Sequence, residues 1–299
     1  MQKEIERKSL NVNFIINFIV ALSGIIAYFM TEIQALLLDG FFSFISFLSA
    51  IIGIYVSRIS HKKTDIYPNG LHFLEPLYAI FKSILILFLF LIAFINATDN
   101  ALQYVLKGEG EPLDIGPIVP YTIFVVVLCF ALSLYTHYQN KKINHISTIL
   151  SVEAKGSLID GLQSLGAGLA FCLLYLIDIQ GPLGFLHYTG DFFITTISVI
   201  LLLKEPIQML RSSFIELSQG LVTDEDITEP IDELIVKHFY PILPDMHYQV
   251  IKIGMAIKVR LYVQKNELNY VKDLLDVKQE FLNDLQTLYQ TARLEIIHI

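Results

Sequence analysis

Charge and cysteine are the scarce commodities of this chain. Only 17% of its 299 residues are Asp, Glu, Lys or Arg, while 54% are hydrophobic. Soluble domains carry about a quarter charged residues, so this composition is suited to lipid rather than to water. The two cysteines, Cys129 and Cys172, both lie inside apolar runs, with no CxxC or Cys/His spacing. That pattern excludes a disulfide framework and a structural zinc knuckle and leaves both as small apolar helix residues. Internal repeats and low-complexity segments are lacking too. The first apolar run has no small-residue cleavage site and is too long for a signal-peptide core, so it is expected to be a retained helix.

Long apolar windows are what the sequence has in abundance. Six of them, roughly 10–30, 33–57, 74–98, 117–138, 147–177 and 190–211, meet the need for about 20 residues to cross a bilayer. The connecting segments sort by charge. Lys3, Arg7 and Lys8, then Arg58, Lys62 and Lys63, then Lys141 and Lys142 fall on one side. The opposite loops hold Lys107 among Glu109, Glu111 and Asp114. The positive-inside rule therefore predicts a multi-pass protein of the cytoplasmic (inner) membrane with both termini in the cytoplasm.

The texture changes near residue 212, which divides the chain into a six-helix transmembrane part, 1–212, and a tail, 213–299. The tail holds 14 acidic against 8 basic residues. That balance argues against nucleic acid and fits either a cation-handling surface or the ordinary solubility of an exposed domain. Pro230 is expected to open a helix with Ile231, Leu234, Ile235 and Phe239 on one face. Alternation follows at Ile251 and Ile253, then at Ile257, Val259, Leu261 and Val263. A second amphipathic helix is expected over 268–289 and a last strand over 294–299. The order αββαβ predicts a small α+β domain with a three-stranded sheet.

An ionisable group at membrane depth is costly, so each one points to function. Asp39 in the second window and Asp160 in the fifth stand out, each near the middle of its helix and each followed by a glycine that permits close helix approach. Two facing carboxylates in a dry bundle repel unless they are protonated or bridged by a cation. Divalent metals bridge oxygen ligands of this kind. The alternative is a hydrogen-bonded or lysine-paired aspartate without a transport role.

The stretch Tyr67-Pro68-Asn69-Gly70-Leu71-His72-Phe73-Leu74-Glu75, the segment Glu153-Ala154-Lys155 through Asp160, Asp191 at the start of the sixth window and the αββαβ tail together resemble the cation diffusion facilitator family over nearly the whole chain. The resemblance implies a homodimeric exporter of divalent metals (zinc, manganese, iron, cobalt or cadmium), run by proton exchange, with a ferredoxin-like cytoplasmic domain. It implies no tightly bound cofactor and no enzymatic activity. It further implies two metal ligands four residues apart on each of helices two and five. Here Ser43 is the partner of Asp39 and Gly156 the partner of Asp160, so a hydroxyl and a backbone carbonyl stand where side-chain ligands are usual. Asn13 and Asn17 on helix one, with Ser157 and Gln163 beside Asp160, are further donors.

Lys82, about two turns into helix three, is expected to snorkel to the cytoplasmic headgroups, or else to neutralise Asp39 or Asp160. Lys155 is expected to reach the headgroups. His61, Asp65 and His72 surround the second cytoplasmic loop, where relatives hold a peripheral metal. In the tail, His298 lies on the terminal strand where relatives have a metal-binding histidine, and His247 lies near another such position. Leu217-Ser218-Gln219-Gly220 replaces the family's acidic turn, which implies that its interhelical charge lock is absent. Two intramembrane aspartates also describe an aspartyl protease, but its Gly-x-Gly-Asp and Pro-Ala-Leu contexts are missing. A third class, a ligand-depleted member that senses metal or supports a partner without transport, stays open. Cysteines placed at Lys62 and Lys141 should label from the cytoplasmic side and one at Glu109 from outside; the reverse pattern would overturn this topology.

Overall fold

The computed structural model describes residues 2–31, 34–108, 118–178, 180–244 and 246–298. Within these, the side chains of 27–28, 30–31, 34–39, 41–42, 118, 170–171, 174, 191, 266 and 268 lie outside the description. The side chains of Asp39 and Asp191, and the loop bearing Glu109, Glu111 and Asp114, are therefore not among the described features.

Each apolar window coincides with helix. The first five form α1 (Gln2–Thr31), α2 (Gln34–Ile59), α3 (Leu74–Lys107), α4 (Ile118–Lys141) and α5 (Thr148–Tyr175). The sixth spreads over α6 (Leu186–Leu202) and α7 (Lys204–Leu217). Pro206 lies in the first turn of α7 and has no N–H for the carbonyl of Leu202, which accounts for the break at Leu203. Because α7 continues to Leu217, the textural boundary at 212/213 falls inside a helix. α1 begins earlier than its apolar run, with Glu4 and Lys8 paired one turn apart at 2.9 Å. Among the described residues, four stretches are long and apolar enough to cross a membrane: Gln2–Ile26, Leu74–Lys107, Val119–Lys141 and Leu186–Leu217. Ser43–Ile59 is a shorter apolar helix.

Small residues set the closest helix approach. α1 and α2 cross at Gly24 and Gly40, where a Cβ added to Gly24 would lie 2.6 Å from the Cα of Gly40. A Cβ on Gly161 would lie 3.1 Å from the Cβ of Cys129 on α4. Both glycines that follow the intramembrane aspartates thus sit at helix contacts, as the sequence leads one to expect.

After α7 come α8 (Glu225–His238), β1 (His247–Ile253), β2 (Ala256–Val263), a 3-10 turn (Lys265–Tyr270), α9 (Val271–Leu288) and β3 (Arg293–His298). α8 does not open at Pro230. The side chain of Asp224 accepts from the backbone N–H of Asp226 at 3.2 Å, so a capping carboxylate starts the helix a turn earlier and leaves Pro230 inside it. The sheet order is β1-β2-β3, antiparallel then parallel. Along β2, Ile257, Val259, Leu261 and Val263 are buried. They share one core with Ile227, Ile231 and Ile235 of α8 and with Leu274, Phe281 and Leu285 of α9. The β1–β2 hairpin turns through Gly254 at φ +57°, the left-handed region that glycine tolerates. This tip touches the start of α3: a Cβ on Gly254 would meet the carbonyl oxygen of His72 at 2.6 Å.

Gly24→Ala is expected to cost about 1–3 kcal/mol through overpacking. Denaturant unfolding in mild detergent measures it, and an unchanged midpoint would show that the α1–α2 contact yields without strain.

Candidate functional site

Asp160 lies near the middle of α5 and is half-buried. Its Oδ2 accepts a hydrogen bond from Ser46 Oγ of α2 at 3.1 Å. The two line a small cavity of about 20 Å³ together with Ser49, Lys82, Gly156 and Gln163, the rest of its wall being apolar. That volume holds about one water molecule or one bare ion. The cavity therefore brings α2, α3 and α5 to one point, with a carboxylate, hydroxyls and an amide around it. Ser43, half-buried, lies one turn before Ser46 on the same helix. The backbone of Asp39 runs a further turn back in α2.

Lys82 does not snorkel. It is 3% exposed, and its Nζ donates to Glu153 Oε1 at 2.6 Å, with Glu153 fully buried. Tyr78 OH donates to the same carboxylate oxygen, and Ser49 Oγ lies 3.0 Å from that phenol. The expectation of a headgroup lysine fails because α5 offers a buried counter-charge within reach, and pairing it offsets the cost of both charges at depth. Lys82 also fills the space beside Gly156: a Cβ there would meet Lys82 Cε at 2.9 Å and Nζ at 3.1 Å. Glycine at 156 is thus the counterpart of the lysine. Where the resemblance implies a side-chain ligand, the structure has an ammonium group.

Glu153, Tyr78 and Ser46 were not singled out from sequence. A signal existed, since Glu153 is seven residues before Asp160 and so shares its helical face, and Ser46 stands three after Ser43. The pairing of α3 with α5 that gives them meaning needed the fold.

The other named residues fall elsewhere. Asn13 is buried, with Nδ2 donating to Ser9 O at 2.9 Å and Thr136 Oγ1 at 2.8 Å. Asn17, one turn on, is also buried. Lys155 is part-exposed and 3.6 Å from Glu205 instead of at the headgroups alone. His61 and Asp65 are exposed, while His72 is buried with Nδ1 3.7 Å from Glu75 Oε1. The loop set is thereby divided.

In the tail, His247 pairs in register with Tyr262, and His298 with the next residue, Val263. They share one end of the sheet but point to opposite faces, with β2 between their strands. His238 is buried, its Nε2 2.9 Å from Asp284 Oδ2. Hydrogen bonds from Lys237 and His238 hold the Asp284 carboxyl below the usual carboxylate range. Among the described residues, no group of three or more His, Cys, Asp or Glu is placed to hold a metal ion.

A second polar network lies where the first turns of α1, α3 and α5 meet the last turns of α2 and α7. Buried Glu6 accepts from Lys3, Ser57 and Ser147, each at 2.7 Å, and Lys3 reaches Glu75 at 2.8 Å. Glu216, at the end of α7, accepts from Lys252 at 3.0 Å, from Thr148 at 2.7 Å and from the Gly254 N–H at 2.6 Å. This charge pair joins the end of α7 to β1 and is not the interhelical lock that the sequence implies to be absent.

The chain thus combines membrane-length helices with a half-buried aspartate at a small cavity among α2, α3 and α5. The profile of the cation efflux transmembrane domain matches residues 10–218, and the chain belongs to that family. Members are transporters, not enzymes, and membership supports efflux of divalent cations across a membrane as the general function. No curated protein matches the chain.

Lys82→Met is expected to destabilise the protein by about 3–5 kcal/mol, because it strands the Glu153 charge in the interior. Adding Glu153→Gln should recover most of that loss in detergent unfolding. Equal costs for the single and the double variant would mean that the pair does not carry the interaction.

Proposed function

We propose that the protein exports divalent cations across the cytoplasmic membrane in exchange for protons, through an intramembrane site built on Asp39 and Asp160. The observation that carries this reading is Asp160 beside Ser46 in an ion-sized cavity among α2, α3 and α5. A carboxylate in that setting takes either a proton or a cation, and exclusive occupancy by one or the other is the basis of exchange. Ser43, one turn from both Asp39 and Ser46, supplies a further hydroxyl. At Gly156 only the backbone is offered.

Few charged ligands make for weak binding and broad tolerance among metals. Carboxylate and hydroxyl donors suit manganese, iron(II) or cobalt, with zinc and cadmium also in range. The cation is cargo, and no resident cofactor enters this scheme. Residues 1–212 form the transporter part with six spans, both termini lie in the cytoplasm, and residues 213–299 form a ferredoxin-like domain through which the chain dimerises. The tail is small and acidic, and a domain of that size gains stability from a partner copy.

One observation favours a second reading. The ammonium of Lys82 beside Gly156 removes a ligand position, which suits a member that senses metal or supports a partner subunit without transport. Metal-dependent proton release from proteoliposomes separates the two. A transporter shows it, and Asp160→Asn or Asp39→Asn should lower it at least tenfold while leaving the fold intact; Ser43→Ala should weaken it only a few-fold. Wild-type protein silent toward manganese, cobalt and zinc would favour the second reading.

A further inference from the structure

We propose that Lys82 is the affinity-setting residue of the Asp160 site: its ammonium is a tethered cation that occupies the helix-five ligand space and keeps the site from becoming a high-affinity one. The inference rests on the Asp160 reading above. Four observations carry it. Lys82 and Asp160 line the same cavity. The ammonium is anchored from behind by Glu153 at 2.6 Å, with Tyr78 on the same carboxylate oxygen. The other oxygen, Glu153 Oε2, is buried and has no hydrogen-bond partner among the described residues, so the carboxylate is committed to this one cation. Finally, any side chain at 156 runs into Lys82, with Cε at 2.9 Å and Nζ at 3.1 Å from its Cβ.

The consequences follow from charge and space. A cation in the cavity meets the positive end of the Lys82–Glu153 pair, and the repulsion scales with the cation's charge. A dication is therefore opposed about twice as strongly as a proton at the same place. Lys82 thus biases Asp160 toward proton loading and eases release of the metal, a useful bias in an exporter that must let its cargo go. It also makes the second ligand of helix five unusable: a carboxylate introduced at 156 becomes a partner for the ammonium before it becomes a ligand for metal.

The test is non-additivity in cobalt(II) binding to the purified full chain in detergent, by titration calorimetry. Gly156→Asp alone is expected to change affinity less than threefold. The same change in a Lys82→Ala/Glu153→Gln background, from which both charges of the pair are gone, is expected to raise it at least tenfold. Lys82→Gln/Glu153→Gln, which keeps a hydrogen-bonded amide pair, provides a second cleared background should the first fold poorly. An equal gain in wild-type and cleared backgrounds would overturn the role given to Lys82, as would no gain in either cleared background. Asp160→Asn must abolish the gain. A gain that survives it would instead overturn the Asp160 site on which the inference rests.

Discussion

Lys82 and Glu153 are two opposite charges buried inside the helix bundle, and the site around Asp160 takes its shape from their pairing. Removing either partner of such a buried pair costs about 3–5 kcal/mol, because the other charge is left uncompensated. At 2.6 Å they neutralise each other, and the phenol of Tyr78, itself near Ser49, adds a donor to the shared carboxylate oxygen. The pair ties α3 to α5. It favours glycine at 156, because a side chain there would have to push the end of the lysine off its partner. One turn further along α5, Asp160 is left facing Ser46 of α2 across a cavity with room for a single ion or water. The character of the site, one carboxylate and neutral oxygens beside a fixed ammonium, is a result of that pair.

The second network lies about two turns nearer the starts of α3 and α5 and answers a different need. Lys3 bridges Glu6 and Glu75, Glu6 collects hydroxyls from α2 and the start of α5, and Gln2 reaches the carbonyl of Leu288 at the end of α9. Glu216 gathers Thr148, Lys252 and the tip of the β1–β2 hairpin. The tail is thereby fastened to the first turns of α1, α3 and α5 and to the last of α7. These contacts are directional and largely buried.

Much of this was legible from the chain alone, for reasons that differ between elements. The helices announced themselves by length and apolarity, and the tail strands by the alternation Ile257, Val259, Leu261, Val263. Asp160 and its glycine were legible because a charge within an apolar run has few structural excuses. The Lys82–Glu153 pair was not, because nothing in a linear sequence says which helix faces which. Lys82 seemed close enough to its helix end to reach water, and the counter-charge that holds it inside lies 71 positions away. Pro230 misled for a local reason: Asp224 caps the helix more effectively than proline opens it. His247 and His298 each stood near a different metal-binding position of the family, and strand register sends them to opposite faces.

Anomalous diffraction from the protein crystallised with cobalt(II) tests the central claim most directly, since it locates the ion and the lysine together. The account expects one cobalt peak within bonding distance of the Asp160 carboxylate, on the side of Ser46, with Lys82 Nζ still on Glu153. Cobalt bound at Asp160 with Lys82 swung away from Glu153, or cobalt bound only outside the helix bundle, would contradict it.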